Sequence, residues 1–251
     1  MDTVSIDSRS LYALLGSADA PCILDVRREA AYEAKDRLIP GALRAGPDPT
    51  AHAETHPRER PIVVYCVHGH EVSQDAASLL RSKGFDAVYL EGGIEAWSAA
   101  GLPTIRRRPD WRVPGGSRWI TRERPKIDRI ACPWLVRRFV DPEAEFLYVP
   151  TLEVKRVAQE KQAVPYDIPD VEFSHEGELC SFDAFLKCFH LKDPALDELA
   201  VIVRGADTGR PELAPQAPGL LSISLGLSLN FRNDHEMLEH GMVMYDALYS
   251  W

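Results

Sequence analysis

Of the five cysteines in this 251-residue chain, Cys66 has neighbours that could make it reactive. It closes the β-branched and aromatic run Ile62-Val63-Val64-Tyr65, which has the character of a buried parallel strand. Val67, His68, Gly69, His70, Glu71, Val72 and Ser73 follow as a glycine-bearing loop. Gln74-Asp75-Ala76-Ala77-Ser78-Leu79-Leu80-Arg81 is then a good helix former that Gly84 would end. A thiol at the tip of a strand, before such a loop and a helix N-terminus, faces converging backbone N–H groups. Their partial positive charge favours the thiolate and lowers the thiol pKa below its free value of about 8.5. The same amides would hold a persulfide or a bound oxyanion. The competing reading is a structural cysteine that ends a core strand.

Two other groups of residues have types suited to chemistry. Arg122, Arg124, Arg129, Arg137 and Arg138, with Lys126 among them, concentrate cations in a short stretch. Guanidinium forks suit bidentate oxyanion contacts, so these five arginines are candidate oxyanion-binding residues. Surface charge neutralised by Glu123, Asp128 and Asp141 is the alternative. Further on, His175, Cys180, Asp207 and His235 offer imidazole, thiolate and carboxylate donors suited to zinc or iron. His235 and Glu239 are spaced i, i+4, but Glu239 stands where a zinc-protease pattern needs its second histidine. A capped helix with a surface histidine is the alternative there.

The elements that must position these groups alternate in the first half. Asp7 or Ser8 can cap a helix over Arg9–Leu15. Cys22 to Arg27 reads as a strand ending in charge, Glu29 to Lys35 as a helix and Ile39-Pro40-Gly41-Ala42 as a turn. Ala87-Val88-Tyr89-Leu90 is another strand, followed by Glu91-Gly92-Gly93 and a short helix through Trp97. Strands alternating with helices predict a parallel sheet with the site at the carboxyl ends of its strands. Proline, glycine and arginine then mark a linker over 106–117, which divides the chain into domains 1–105 and 118–251.

The second domain reads as mainly helical. Asp128 to Val140 would turn Ile130, Trp134, Leu135 and Phe139 inward, and Phe146-Leu147-Tyr148-Val149 is a strand. Phe182, Phe185, Leu186 and Phe189, and then Leu196, Leu199, Ile202 and Val203, continue apolar faces. Gly219 to Leu229 predicts a buried helix, and Asp234 is the N-cap expected for a last helix packed through Leu238, Tyr245 and Leu248.

Composition narrows the class of function. Hydrophobic content of 45% and charged content of 27% suit a globular protein. A net charge of −9 offers no general phosphate footprint, so nucleic acid is not an expected partner. No apolar run reaches the roughly 20 residues that span a bilayer, and the N-terminus has no signal-peptide pattern. Scattered cysteines without a CxxC pair suit reduced thiols in a cytoplasmic protein.

Leu24-Asp25-Val26-Arg27, Ile39-Pro40-Gly41-Ala42, Tyr65-Cys66 with Gly69, Ala76-Ala77, Leu90-Glu91-Gly92-Gly93 and Ala96-Trp97 together resemble a rhodanese domain over roughly residues 3–105. The resemblance implies a persulfide carried on Cys66, a small-molecule sulfur donor and a thiol acceptor. It also implies supporting roles for Asp25 and Arg27, and no cofactor for sulfur transfer. Two features depart from the pattern. The loop has no arginine and reaches Ser73 one residue late, as in rhodanese-fold phosphatases and arsenate reductases, and Leu38 stands where a histidine is usual.

Arg129-Ile130-Ala131-Cys132-Pro133-Trp134-Leu135-Val136-Arg137-Arg138-Phe139 resembles the C-terminal domain of the chromate-resistance protein ChrB. Arg204-Gly205-Ala206-Asp207, Ser224-Leu225-Gly226-Leu227-Ser228, Asp234-His235 and Tyr245-Asp246-Ala247-Leu248-Tyr249 extend that likeness over roughly 117–251. The expected fold is an α/β rhodanese-like parallel sheet with helices on both faces, plus a mainly helical α+β domain. The expected function is a cytoplasmic sulfurtransferase linked to chromate resistance. A thiol-dependent oxyanion reductase or phosphatase using the Cys66 loop is an alternative, as is a non-enzymatic chromate-responsive sensor or regulator whose basic C-terminal segment contacts an anion or DNA; chromate or another oxyanion is a candidate partner.

Overall fold

The computed structural model describes residues 4–108, 112–113 and 116–251. The chain divides into two compact units, Met1–Arg107 with Arg138–Pro142, and Arg108–Arg137 with Glu143–Trp251.

The first unit contains β1 (Ser5–Ile6), α1 (Ser8–Tyr12), β2 (Cys22–Asp25), α2 (Glu29–Glu33), β3 (Arg37–Leu38), β4 (Ala42–Arg44), α3 (Thr50–Ala53), β5 (Ile62–Tyr65), α4 (Glu71–Ser82), β6 (Ala87–Leu90), α5 (Gly93–Ala99) and β7 (Ile105–Arg106). Five strands form a parallel sheet in the order β1-β6-β5-β2-β4. The two-residue strands β3 and β7 pair antiparallel apart from it. Every residue of β2 and β5 is buried. Cys22, Leu24, Ile62, Val64 and Cys66 point to one sheet face and form a core with Ala76, Ala77 and Leu80 of α4. Ile23, Val63 and Tyr65 alternate to the other face and are buried too, so both faces are covered. Asp7 caps α1 by accepting from the N–H groups of Arg9 and Ser10, and the helix ends at Tyr12, short of Leu15.

The second unit holds β8 (Arg112–Val113), β9 (Gly116–Arg122), α6 (Asp128–Leu135), β10 (Glu145–Val149), α7 (Val154–Lys161), β11 (Val164–Pro165), α8 (Ser181–Phe189), α9 (Pro194–Asp207), α10 (Ala217–Asn230) and α11 (Asp234–Ser250). Strand β9 is central. It pairs parallel with β10 and β11 and antiparallel with β8. Trp119 of β9 anchors an aromatic core with Tyr166, Phe173, Phe185 and Phe189. The linker read over 106–117 overlaps β7, β8 and the start of β9, and its residues 109–111 and 114–115 lie outside the described residues.

Four expectations for this half need correction. The cationic opening segment contains the central strand β9, which alternation did not reveal because Ser117 and Thr121 occupy buried positions. Helix α6 gives way to π-helical winding over Val136–Val140, although Ile130, Trp134, Leu135 and Phe139 are buried as expected. Helix α10 forms as expected but is not buried throughout. Its packed positions are Ala217, Leu220, Ser224 and Ser228, while Ile223, Leu225 and Leu229 are exposed. Asn233, one residue before the expected cap, accepts from the N–H groups of His235 and Glu236.

Candidate active site and acidic centre

Cys66 stands at the carboxyl end of β5, where the chain leaves the sheet. Helix α4 starts at Glu71, so Glu71, Val72 and Ser73 form its first turn, and the loop proper is Val67 to His70. This corrects a helix read from Gln74 onward. Ser73 is a buried polar residue whose hydroxyl lies 3.2 Å from Cys66 Sγ. The same oxygen is placed to donate to the His70 carbonyl at 3.1 Å.

The loop's shape depends on the following strand–helix turn. The N–H groups of Ile94 and Glu95 donate to the carbonyls of Cys66 and Val67, each at 3.1 Å. In a planar trans peptide N–H opposes C=O, so the next amides, of Val67 and His68, point away from α5. Gly69 has φ +70, and a Cβ there would lie 2.6 Å from both Gly92 N and the Leu90 carbonyl. Only glycine fits that approach without displacing backbone.

Burial opposes ionisation of Cys66. The hydrogen bond from Ser73 and those from the N–H groups of His68, Ser73 and His70 outweigh it, so the thiol pKa is lowered. The sulfur lines an open cleft of about 230 Å³ with Arg27, Arg28, Ala31, Val67, His68, His70, Glu71 and Val72. Arg27 is fully buried, and its Nε donates to both Asp25 oxygens at 2.9 Å. The Tyr65 hydroxyl donates to Asp25 Oδ2 at 2.9 Å. Asp25 and Arg27 therefore brace β2 against β5 beneath the loop, and Asp25 holds most of the Arg27 charge. Arg28 was not anticipated as a site residue. It is exposed on the rim of the cleft, just after β2, and supplies a cation that the loop lacks. The only sequence signal was the second arginine of Val26-Arg27-Arg28.

The arginines of the second unit do not converge on one oxyanion site. Arg122 and Arg129 pair with Asp167 at 2.5 and 3.1 Å. Arg124 donates to the carbonyls of Ser228, Phe231 and Arg232, and Arg137 pairs with Glu239 at 2.8 Å. Arg138 belongs to the segment grouped with the first unit. The acidic partners of Arg122, Arg129 and Arg137 are Asp167 and Glu239, remote from them in sequence, rather than the nearby Glu123 and Asp128.

Of the four expected metal ligands, the structure unites His175 and Asp207 but adds Asp128 to them. His175 Nε2 lies 3.3 Å from Asp128 Oδ2, 3.2 Å from Asp207 Oδ2 and 3.3 Å from Asp167 Oδ1. His235 stands elsewhere, with its ring against Tyr148. Cys180 caps α8, and its Sγ donates to Asp183 at 3.4 Å. Burial, then Asp128 and Asp183, push that thiol well up, so it stays protonated. The hydrogen bond to Asp128 is the main cause that raises His175 to about 9, while burial, then Asp128, raises Asp207 to about 7.

Comparison with known proteins follows the division into two units. The family described as ChrB, C-terminal domain, matches residues 119–251, and the rhodanese-like domain family matches 7–100. The chain is 32% identical over 136 residues to Protein ChrB of Cupriavidus metallidurans, covering 54% of this chain and 40% of that protein. It thus spans two fifths of that relative. Identity to a sulfurtransferase of Allochromatium vinosum is 35% over 103 residues, 40% of this chain and 92% of that one. A thiosulfate sulfurtransferase GlpE of Pseudoalteromonas translucida is 37% identical over 87 residues, 34% of this chain and 80% of that protein. No helix among the described residues is long and apolar enough to cross a membrane.

Proposed function

This chain belongs to the ChrB C-terminal domain family and carries a rhodanese-like domain ahead of it, and from that premise we propose that it is a sulfurtransferase with Cys66 as the sulfur carrier. The observation that carries the reading is the thiol itself: a strand-end cysteine lining an open cleft, its pKa lowered by Ser73 and three loop and helix amides. The Cys66 thiolate attacks the sulfane sulfur of a donor such as thiosulfate. An S–S bond forms to Cys66, the donor's S–S bond breaks, and sulfite leaves with its electron pair. The outer persulfide sulfur then passes to a thiolate or cyanide acceptor, and Cys66 returns as the thiolate. The amides that stabilise the thiolate stabilise the persulfide anion in the same way. Arg28 at the rim attracts the donor's sulfonate.

No metal or organic cofactor enters this cycle. The five cysteines are free thiols, which supports a reducing, cytoplasmic setting. The similarity to ChrB supports a link to chromate through the second unit.

The test is thiosulfate:cyanide sulfurtransferase activity together with intact-protein mass after thiosulfate treatment. One sulfur atom should be added to the native chain and none to Cys66→Ser. Equal labelling of both, or turnover of arsenate or aryl phosphate in place of thiosulfate, would replace this reading with oxyanion chemistry at the same cysteine.

A further inference from the structure

We propose that Asp128, His175 and Asp207 form a binding site for a divalent first-row cation such as Mn²⁺, Fe²⁺ or Zn²⁺, separate from the sulfur-transfer cysteine. The three residues come from distant points of the second unit: the first turn of α6, the segment before α8 and the last residue of α9. Their donor atoms nevertheless lie within 4.8 Å of one another.

The separations from His175 are those of ligands around one ion. With metal–ligand bonds of about 2.1 Å, neighbouring donors sit roughly 3.0 Å apart at right angles and roughly 3.4 Å apart at tetrahedral angles. The separations from His175 Nε2 to the two carboxylates, 3.3 and 3.2 Å, fall between these limits. Without an ion, the hydrogen bond to Asp128 and the charges of Asp207 and Asp167 draw the imidazole in, and Asp128 Oδ2 also accepts from the Ser181 N–H at 3.3 Å. A single Nε2–H can point at one oxygen, yet two aspartates of the set approach it equally closely, with Asp167 a third. A cation centred among the lone pairs satisfies both aspartates and leaves the imidazole neutral, the form in which it is a ligand.

The surroundings define which donors take part. Asp167 is committed elsewhere: its Oδ2 takes Arg122 and Arg129, and its Oδ1 accepts from Ser181 Oγ at 3.0 Å. It therefore borders the site as an oriented neighbour. Cys132 and Cys180 are buried nearby, but neither belongs to the donors that lie within 4.8 Å of one another, and Cys180 Sγ donates to Asp183 at 3.4 Å, so the set is one nitrogen with carboxylate oxygens. That mixture suits manganese, iron or zinc better than the thiophilic Cu(I). Asp128 is 2% exposed, whereas the His175 side chain is 39% exposed, so the centre is walled on one side and open on the other. Three protein ligands with an open side leave room for water or an exogenous ligand, the pattern of a reactive centre.

Asp128 is also held with unusual firmness. Ile127 before it has φ +40, a rare conformation for a β-branched residue. Its N–H donates to Ser224 Oγ at 2.9 Å, and its carbonyl accepts from the Tyr245 hydroxyl at 2.9 Å. Side chains of α10 and α11 thereby fix the backbone that aims Asp128 at His175.

The experiment is titration of the full-length chain with Mn²⁺, followed by the electron paramagnetic resonance signal of free Mn²⁺. Manganese is the probe because thiolates compete weakly for it, which keeps Cys66, His68 and His70 from supplying a rival site. One equivalent should bind saturably, and Zn²⁺ should displace it. Asp128→Asn and His175→Gln should each weaken binding at least tenfold, whereas Cys66→Ser should leave it unchanged. Should either variant misfold, the native chain supplies a second readout. Mn²⁺ should broaden the imidazole resonances of His175 before those of His68, His70 and His235. Absence of stoichiometric binding, equal affinity in both variants, or first broadening at His68 and His70 would overturn the proposal.

Discussion

Replacement of Ser73 by alanine tests the source of Cys66 reactivity. The Ser73 hydroxyl has one proton and two candidate acceptors, Cys66 Sγ at 3.2 Å and the His70 carbonyl at 3.1 Å. With a protonated thiol, Cys66 can donate to Ser73 while Ser73 donates to His70. With a thiolate, the serine proton must turn to the sulfur and give up the carbonyl. Because S–H is a weak donor, the differential stabilisation is mainly a charge-assisted bond of about 2 kcal/mol less the neutral serine–carbonyl bond of about 1 kcal/mol. The net value of about 1 kcal/mol corresponds to rather less than one pKa unit. Ser73→Ala should thus raise the Cys66 pKa by about 0.7 unit. Thiolate nucleophilicity rises with basicity, with a Brønsted slope of about 0.4–0.5, so alkylation at neutral pH should slow only about two- to threefold. The assay is iodoacetamide labelling of Cys66 against pH, resolved by peptide mass so that the half-buried Cys188 does not contribute. Burial, then Glu172, raises Cys188 to about 11, which keeps it slow. Superimposable profiles for the two proteins would refute the role of Ser73. A rise above about two units would mean that the amide ring had collapsed as well.

Two further substitutions probe the supports of the same cleft. Asp25→Asn removes the charge that receives the fully buried Arg27 and should destabilise the first unit by about 3–5 kcal/mol, measured by urea unfolding; a loss below about 1 kcal/mol would show that the pair is structurally idle. Glu71→Arg replaces an exposed anion in the first turn of α4 with a cation at the cleft. It should move Cys66 alkylation towards lower pH by about half a unit at low ionic strength and raise the thiosulfate rate, with both effects fading in salt. An unchanged profile at low salt would rule out Glu71 as the residue that restrains the nucleophile.

What could be read along the chain was whatever lies close together in it. The strand Ile62–Tyr65, the cysteine at its end, the glycine-bearing turn and the helix after it form one contiguous run, and backbone chemistry alone places the amides near the sulfur. Phe182, Phe185, Leu186 and Phe189 revealed a buried helix face because periodicity is local, and Asp7 revealed a helix start for the same reason. Tertiary structure decided the rest. Trp119 lies in a central strand because β10 and β11 pair with it on either side, although its own sequence carries no clean alternation. Helix α10 has leucines and isoleucine all round, and only the packing of its neighbours determined that Ser224 and Ser228 go inward while Leu229 faces solvent. The arginines found their partners at Asp167 and Glu239, and His175 found Asp128 in place of Cys180 and His235. Residue type announces what a side chain can bind, but which side chains meet depends on long-range packing that no short window of sequence contains.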